Sequence, residues 1–385
     1  PGAAGCRLAV IGMGKCGGRE LNYVSDVDVV FVGEPLTAEG DDDAALKTAT
    51  RLAVEMIRVC GQVAWPVDAG LRPEGGSGPL VRTLASHTAY YRRWAKTWEF
   101  QALLKARPVA GDLALGRAYV DVVAPMVWDA AGRSGFVEDV QAMRRRVETT
   151  LKGDVADREV KLGRGGLRDV EFAVQLLQLV HGRTDDTVRS GTTLVALDQL
   201  AAAGYVGRED ARHLAASYRW LRTVEHRLQL HRLRRTHLLP AADDEPGLRR
   251  VARAVGYRGD AVATFRRERA GYGREVRRLH DAAHARAEAR LAEYALSPDY
   301  HAYVQTLVDA SNVPISQVVA KPPKARDPEA VRAVQAQLEK RRNQLPKEER
   351  RTPPPAGWGS PFASPRAANH DSPPAISVLA ASKLP

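Results

Sequence analysis

The stretch GGRELNYVSDVDVVF (residues 17–31) decides how this chain reads. Its two glycines are expected to open a short helix, and a strand then begins at Ser25-Asp26-Val27-Asp28. Side chains alternate along a strand, so Asp26 and Asp28 project from one face while Val27, Val29 and Phe31 face the other. Two carboxylates side by side with no cation between them repel, and the apolar face anchors them in place. That pairing suits a magnesium ion, which takes hard oxygen ligands and keeps positions open for phosphate oxygens. Gly17 and Gly18 are expected to offer backbone N–H groups to a phosphate at a helix N-terminus, with Ser25 as a polar neighbour.

Working outward, the preceding residues imitate two other phosphate-binding patterns. Gly12-Met13-Gly14-Lys15-Cys16-Gly17 fits G-x-G-x-x-G after the strand-like RLAVIG (7–12), and Glu34 closes the next strand. A dinucleotide-binding unit needs a full crossover helix, however, and only Arg19 to Ser25 separate the glycines from that strand. A P-loop is excluded because Cys16, not Ser or Thr, follows Lys15. On the other side, VAWPVDAGLRPEGGSGPL (63–80) offers a third carboxylate. In a strand at 61–67, Val63, Trp65 and Val67 would point inward and leave Asp68 on the opposite face, with Pro66 marking an edge. An Asp before a turn is also an ordinary turn residue. Partnership with Asp26 and Asp28 favours a ligand role, since two-metal chemistry draws a third carboxylate from a neighbouring strand. Asp41-Asp42-Asp43 has neither strand nor glycine platform and reads as a solvated loop.

The 385 residues fall into three zones by composition. Residues 1–112 mix strands at 7–12, 27–33 and 61–67 with a helix at 48–60 and another at 89–107 stopped by Pro108. On that last helix Trp98, Gln101 and Lys105 share a face; Lys105 either reaches an anionic ligand or is solvated. Residues 113–290 read as a helical bundle. LRDVEFAVQLLQLV (167–180) is apolar on almost every side, hence a central buried helix, and 209–232 is amphipathic. Gly165-Gly166 opens the buried helix, where Asp169 is explained by the helix dipole and Glu171 is left open. His226 and His231 have no metal-ligand pattern. From Pro314 onward lie 13 of the 23 prolines, so 291–385 reads as a tail, partly helical (329–345) and then disordered.

Composition narrows the class. Hydrophobic residues at 44% and charged residues at 27% are those of a globular protein. The sequence has no apolar run of about 20 residues, which excludes a membrane helix. Three cysteines without zinc-site spacing point to a reducing cytoplasm. A start at Pro1, with no signal-peptide pattern, points to a fragment or trimmed chain. The net charge of +11 is compatible with a nucleotide, a nucleic acid or an acidic protein face. Nucleic acid is not expected, because no basic stripe with interleaved aromatics is present.

Taken together, G-x-G-K-x-G-G-x-E-L-N-Y-x-S-D-x-D, VDAGLRPEGGSGPL (67–80), WEFQALLKARPVAG (98–111), KLGRGGLRDVEFAVQ (161–175) and LRTVEHRLQ (221–229) resemble the bifunctional glutamine synthetase adenylyltransferase/adenylyl-removing enzymes. The resemblance spans roughly residues 7–280. It implies an α+β protein: a DNA-polymerase-β-like nucleotidyltransferase domain (1–112), an α-helical bundle domain (113–290) and the tail. Family members carry two catalytic halves, one attaching AMP to a tyrosine of glutamine synthetase and the other removing it by phosphorolysis. A single S-D-x-D implies one half, and Asn22-Tyr23 with KLGRGG resembles the removing half. The resemblance further implies Asp26, Asp28 and Asp68 as catalytic Mg2+ ligands, and Gly17, Gly18, Ser25, Arg72 and Lys105 as nucleotide and phosphate contacts. Gly70 stands where the family often has Arg, which shifts that role to Arg72. The implied partners are adenylylated glutamine synthetase, ATP/ADP, phosphate and a PII-type signalling protein. Phosphate would attack the α-phosphorus, tyrosine would leave as phenoxide with a pKa near 10, and ADP would be released. The alternatives are adenylyl transfer from ATP to the tyrosine, a non-catalytic module binding glutamine synthetase or PII, and an RNA-directed nucleotidyltransferase of the same fold.

Overall fold

A strand, β1 (Cys6–Gly12), leads through a single-turn helix, α1 (Gly14–Gly17), to β2 (Val27–Pro35). The structure, a computed structural model, describes residues 5–37, 42–133, 135–149, 151 and 153–296. After β2 come α2 (Asp42–Val63), β3 (Val67–Asp68), β4 (Val81–Arg82), α3 (Leu84–Arg93), α4 (Thr97–Leu103) and β5 (Arg107–Gly111). Helices then follow one another: α5 (Leu113–Asp129), α6 (Phe136–Thr149), α7 (Asp154–Arg158), α8 (Leu167–His181) and α9 (Thr193–Ala202). The last three are α10 (Arg208–Leu230), α11 (Glu245–Val255) and α12 (Ala261–Leu296). Over the described residues the protein is thus mixed α/β, mostly helical, with one small sheet. The tail expected from 291 begins inside α12, and everything beyond Leu296 lies outside the described residues.

Strand β2 is central. It pairs antiparallel with β1, which pairs antiparallel with β5, while the two short strands β3 and β4 run parallel to β2. Alternation along β2 gives each face its own core. Val29 and Phe31 pack with Ala49 and Ala53 of α2, whereas Val30 and Val32 pack with Leu115, Tyr119 and Val123 of α5. Asp26 and Asp28 continue the even-numbered face, so the carboxylates look toward the helical side. The same core takes in Leu176, Leu179 and Val180 of α8. Packing therefore runs straight across residue 112, joining sheet and helices in one apolar body. A second cluster, built from α8 to α12 around Leu197, Leu221 and Phe265, holds the helices together. Helix α8 is buried nearly all round, as its sequence predicts.

Several expectations are corrected, beginning with Asp42 and Asp43, which open α2 and are not loop. Residues 61–63 are the end of α2, not a strand, which leaves Val63 77% and Trp65 44% exposed instead of inward. Their alternation with Val67 imitates a strand, but the amphipathic pattern of 48–60 simply continues one turn further. The helix expected at 89–107 is two helices, α3 and α4, broken at Trp94 to Lys96. Helix α4 starts afresh because the Lys96 N–H donates to the Glu99 carboxylate at 2.8 Å, a local cap. Pro108 does not stop a helix; it lies in β5, an edge strand opposite Ile11, where its missing N–H costs little. Finally, Gly17 and Gly18 close α1 instead of opening a helix, and residues 18–26 are turn and irregular.

Candidate active site

The start of β2 places Asp28 directly opposite Asp68 of β3 in the strand register. Carboxylate oxygens of Asp26, Asp28 and Asp68 lie within 4.8 Å of one another. Each is fixed differently. Asp68 Oδ1 accepts the Gly70 N–H at 2.7 Å, so the turn role and the cluster role coexist in one residue. Asp26 Oδ2 pairs with Arg235 at 2.7 Å. Asp28 forms no direct ion pair among the described residues. Burial, then the charges of Asp26 and Asp68, push its carboxyl up to about 6. Gly14 explains the close fit around it: this residue has φ +49°, and a Cβ there would strike the Asp28 carboxylate. Only glycine meets both demands cheaply.

The triad opens on a cavity of about 340 Å³ between the sheet and the helices. Its near wall is Gly14, Lys15, Asn22, Val24 and Ser25. Its helical wall carries Trp98, Gln101 and Lys105, then Lys161, Arg168 and Glu171, with Arg235 and His237 at the side. The shared face of Trp98, Gln101 and Lys105 thus turns to the cavity, although Lys105 lies beyond the end of α4. An isolated bridge between Glu159 and Leu238 and the Val160 N–H bond to His237 O bring Lys161 beside Arg235.

Of the expected phosphate contacts, Ser25 and Lys105 line this cavity. Lys105 Nζ is held by Glu20 at 2.6 Å and Thr193 at 3.1 Å, so its charge is already balanced. The others are spent elsewhere. The Gly17 N–H bonds Met13 O and the Gly18 N–H bonds Gly14 O. Gly17 is needed for packing, because a Cβ there would run into the Lys105 carbonyl. Arg72 donates to the carbonyls of Ala69, Gly76 and Gly78, tying its own loop. Arg107 likewise holds Cys16 O and Gly17 O. At the Gly165-Gly166 turn the N–H groups go to Asp169 Oδ2 and Gly163 O. Asp169 is fully buried against Arg144, the structural role expected of it.

Two comparisons bear on this arrangement. Residues 2–121 match the family model described as glutamate-ammonia ligase adenylyltransferase, and residues 136–284 match that described as GlnD PII-uridylyltransferase. Among curated proteins, the chain is 61% identical over 308 residues to the bifunctional glutamine synthetase adenylyltransferase/adenylyl-removing enzyme of Streptomyces avermitilis, covering 77% of this chain and 30% of the relative. The enzymes of the same name from Streptomyces coelicolor and Corynebacterium efficiens are 60% and 51% identical, over 77% and 82% of this chain and 31% and 28% of theirs. The chain belongs to the glutamine synthetase adenylyltransferase/adenylyl-removing enzyme family. It spans about 30% of the length of the relatives it matches.

Within this family member, an ionic network that the sequence reading missed locks the glycine segment to α10. Lys15 Nζ donates to Glu225 at 3.0 Å, Arg222 holds Glu225 at 2.9 Å and also grips Glu20 O and Asn22 Oδ1, and His237 Nδ1 lies 3.0 Å from Glu225. Burial opposes the Glu225 charge, but His237, Lys15 and Arg222 together hold its carboxyl well below the usual range. Burial also draws Lys15 below the usual lysine value, against the pull of Glu171 and Glu225. Lys161, Arg168 and Arg235 were likewise not nominated as contacts. Nothing in local spacing marks them, since two segments far apart in sequence deliver them to one cavity.

Proposed function

We propose that this chain is a Mg2+-dependent nucleotidyltransferase of DNA-polymerase-β-like fold that removes AMP from the adenylylated tyrosine of glutamine synthetase by phosphorolysis. The observation that carries the reading is a carboxylate triad facing a cavity whose opposite wall holds Lys161 and Arg168, neither of which forms a direct ion pair among the described residues. The triad fits magnesium: three hard oxygen donors converge, and burial together with the charges of Asp26 and Asp68 disfavours the Asp28 anion, a cost that a bound cation would offset. When bound, such an ion neutralises charge on the transferring phosphoryl group and aligns the oxygens on either side of it.

The chain's own residues supply the rest. Lys161 and Arg168 attract the attacking phosphate and orient it by charge-assisted hydrogen bonds. They take the place expected for Arg72. Lys15, fixed by Glu225, adds a positive wall beside the triad. An oxygen of inorganic phosphate attacks the α-phosphorus, the bond to the tyrosine oxygen breaks, and ADP forms. The phenoxide takes its proton from solvent and needs no general acid, since phenol is a fair leaving group. Positioning and charge compensation suffice without a covalent intermediate. The direction of transfer rests on Asn22-Tyr23 and KLGRGG, which resemble the removing half, because both directions use the same carboxylates.

The test supplies adenylylated glutamine synthetase with Mg2+, with and without phosphate, and in parallel unmodified glutamine synthetase with ATP. Phosphate-dependent ADP release is expected. Pyrophosphate from the second mixture with no ADP from the first assigns the chain to the attaching half.

A further inference from the structure

The helical wall of the cavity holds a feature that neither a metal nor a phosphate accounts for. Among the described residues, Oε1 of Glu171 and Oε1 of Gln101 are buried and meet no hydrogen-bond partner. The two residues are only 7% and 3% exposed, yet both line the cavity, together with Leu71, Trp98, Met143 and Phe172. Gln101 is held in place by donating Nε2 to Gln175 Oε1 at 2.8 Å, which leaves its carbonyl as the free end. Gln175 lies one helical turn after Glu171 on α8, so the two free acceptors sit on neighbouring groups. Burial opposes ionisation of Glu171, but Lys105, Lys15, Arg168 and Lys161 outweigh it and hold the carboxyl below the usual range. Those charges explain why Glu171 is an anion. They do not explain why its Oε1 is left without a donor, which is costly for a buried acceptor.

Two acceptors beside an apolar, aromatic wall call for a flat ligand that carries two donor hydrogens on one atom. We propose that this wall is the base subsite of the nucleotide and selects adenine. The 6-amino group donates one hydrogen to Glu171 Oε1 and the other to Gln101 Oε1, and the ring lies against the Trp98 indole. Guanine and hypoxanthine would bring a carbonyl oxygen to the same point, setting acceptor against acceptor. The inference rests on the nucleotidyl-transfer reading of the site, and Glu171 and Gln101 act in it as specificity-determining residues.

The experiment is equilibrium binding of ATP and ITP, which differ at the 6-amino group, to the full 385-residue chain with Mg2+. ATP is expected to bind about 10- to 100-fold more tightly, the usual effect of a lost hydrogen bond to a charged group. Gln101→Leu and Glu171→Leu should each shrink that ratio several-fold. The ratio is the readout, because removing Glu171 leaves four cations less balanced and raises affinity for any triphosphate. Equal binding of ATP and ITP by the unaltered chain overturns the base assignment while leaving the metal and phosphate reading in place. Binding of neither nucleotide overturns the base assignment, and phosphate-dependent ADP release from adenylylated glutamine synthetase then decides the nucleotidyl-transfer reading separately. A full ATP preference retained in the folded Gln101→Leu and Glu171→Leu proteins overturns the roles of these residues. Should either variant not fold, Gln101→Met and Glu171→Met, close in length and without an acceptor oxygen, replace them.

Discussion

Replacing Asp28 by Asn should make the metal-free protein more stable while abolishing turnover. Asp28 titrates near 3.8 in an unfolded chain and at about 6 in the fold, because burial and the charges of Asp26 and Asp68 penalise its anion. Between those values the folded state binds more protons. Stability therefore falls as pH rises through that window and stays reduced above it. The difference corresponds to about 3 kcal/mol at pH 7.5 and, by the same linkage, about 1 kcal/mol at pH 4.5. Asn cannot ionise, so its gain should follow that profile, read from urea midpoints with EDTA present. Saturating Mg2+ should then raise the midpoint of the parent protein and leave the variant nearly unmoved. A gain of equal size at both pH values would show that charge crowding is not its source. Equal stabilisation of both proteins by Mg2+ would remove Asp28 from the ligand set.

Three further outcomes follow from particular contacts. Glu225→Gln leaves Lys15 and Arg222 without their buried counter-charge and should cost about 3–5 kcal/mol in denaturant unfolding; a loss below about 1 kcal/mol would mean the network is dispensable. Arg235→Gln frees Asp26 from its exposed pair and should tighten Mn2+ binding by calorimetry about two- to five-fold, the scale of a partly exposed ion pair; weaker binding would contradict competition at that carboxylate. His87 is driven down to about 4 mainly by burial, so the unfolded chain takes up the proton first and stability should drop as pH falls from about 6.5 towards 4. His87→Gln should remove a loss that reaches about 2 kcal/mol at pH 5, and an unchanged slope would refute the assignment.

What was legible in the sequence follows the range over which each cause acts. Alternation on β2, the apolar circumference of α8 and the stripe on α10 are local, and the structure carries them as read. The convergence of Asp26, Asp28 and Asp68 was also legible, because a two-residue period and one neighbouring strand sufficed. Errors arose where tertiary demands reassign a local group. Gly17 and Gly18 look like phosphate donors until the carbonyls of Met13 and Gly14 claim their N–H groups. Arg72 looks like an anion contact until three loop carbonyls claim its guanidinium. Val63 and Trp65 alternate like a strand, yet α2 runs on through Val63. Lys161, Arg168 and Arg235 were invisible as contacts because the bridge that gathers them joins residues 159 and 238.

The shared core beneath the cavity has a thermodynamic consequence. Val30 and Val32 of the carboxylate strand pack into the same apolar body as Leu176 and Leu179 of the helix that bears Arg168. The two walls are thus set in position when the chain folds, and the nucleotide proposed to enter between them would have little left to order. Ligand capture by such a preformed cleft forfeits little conformational entropy. Its heat-capacity change should therefore report only the surface that the nucleotide itself covers.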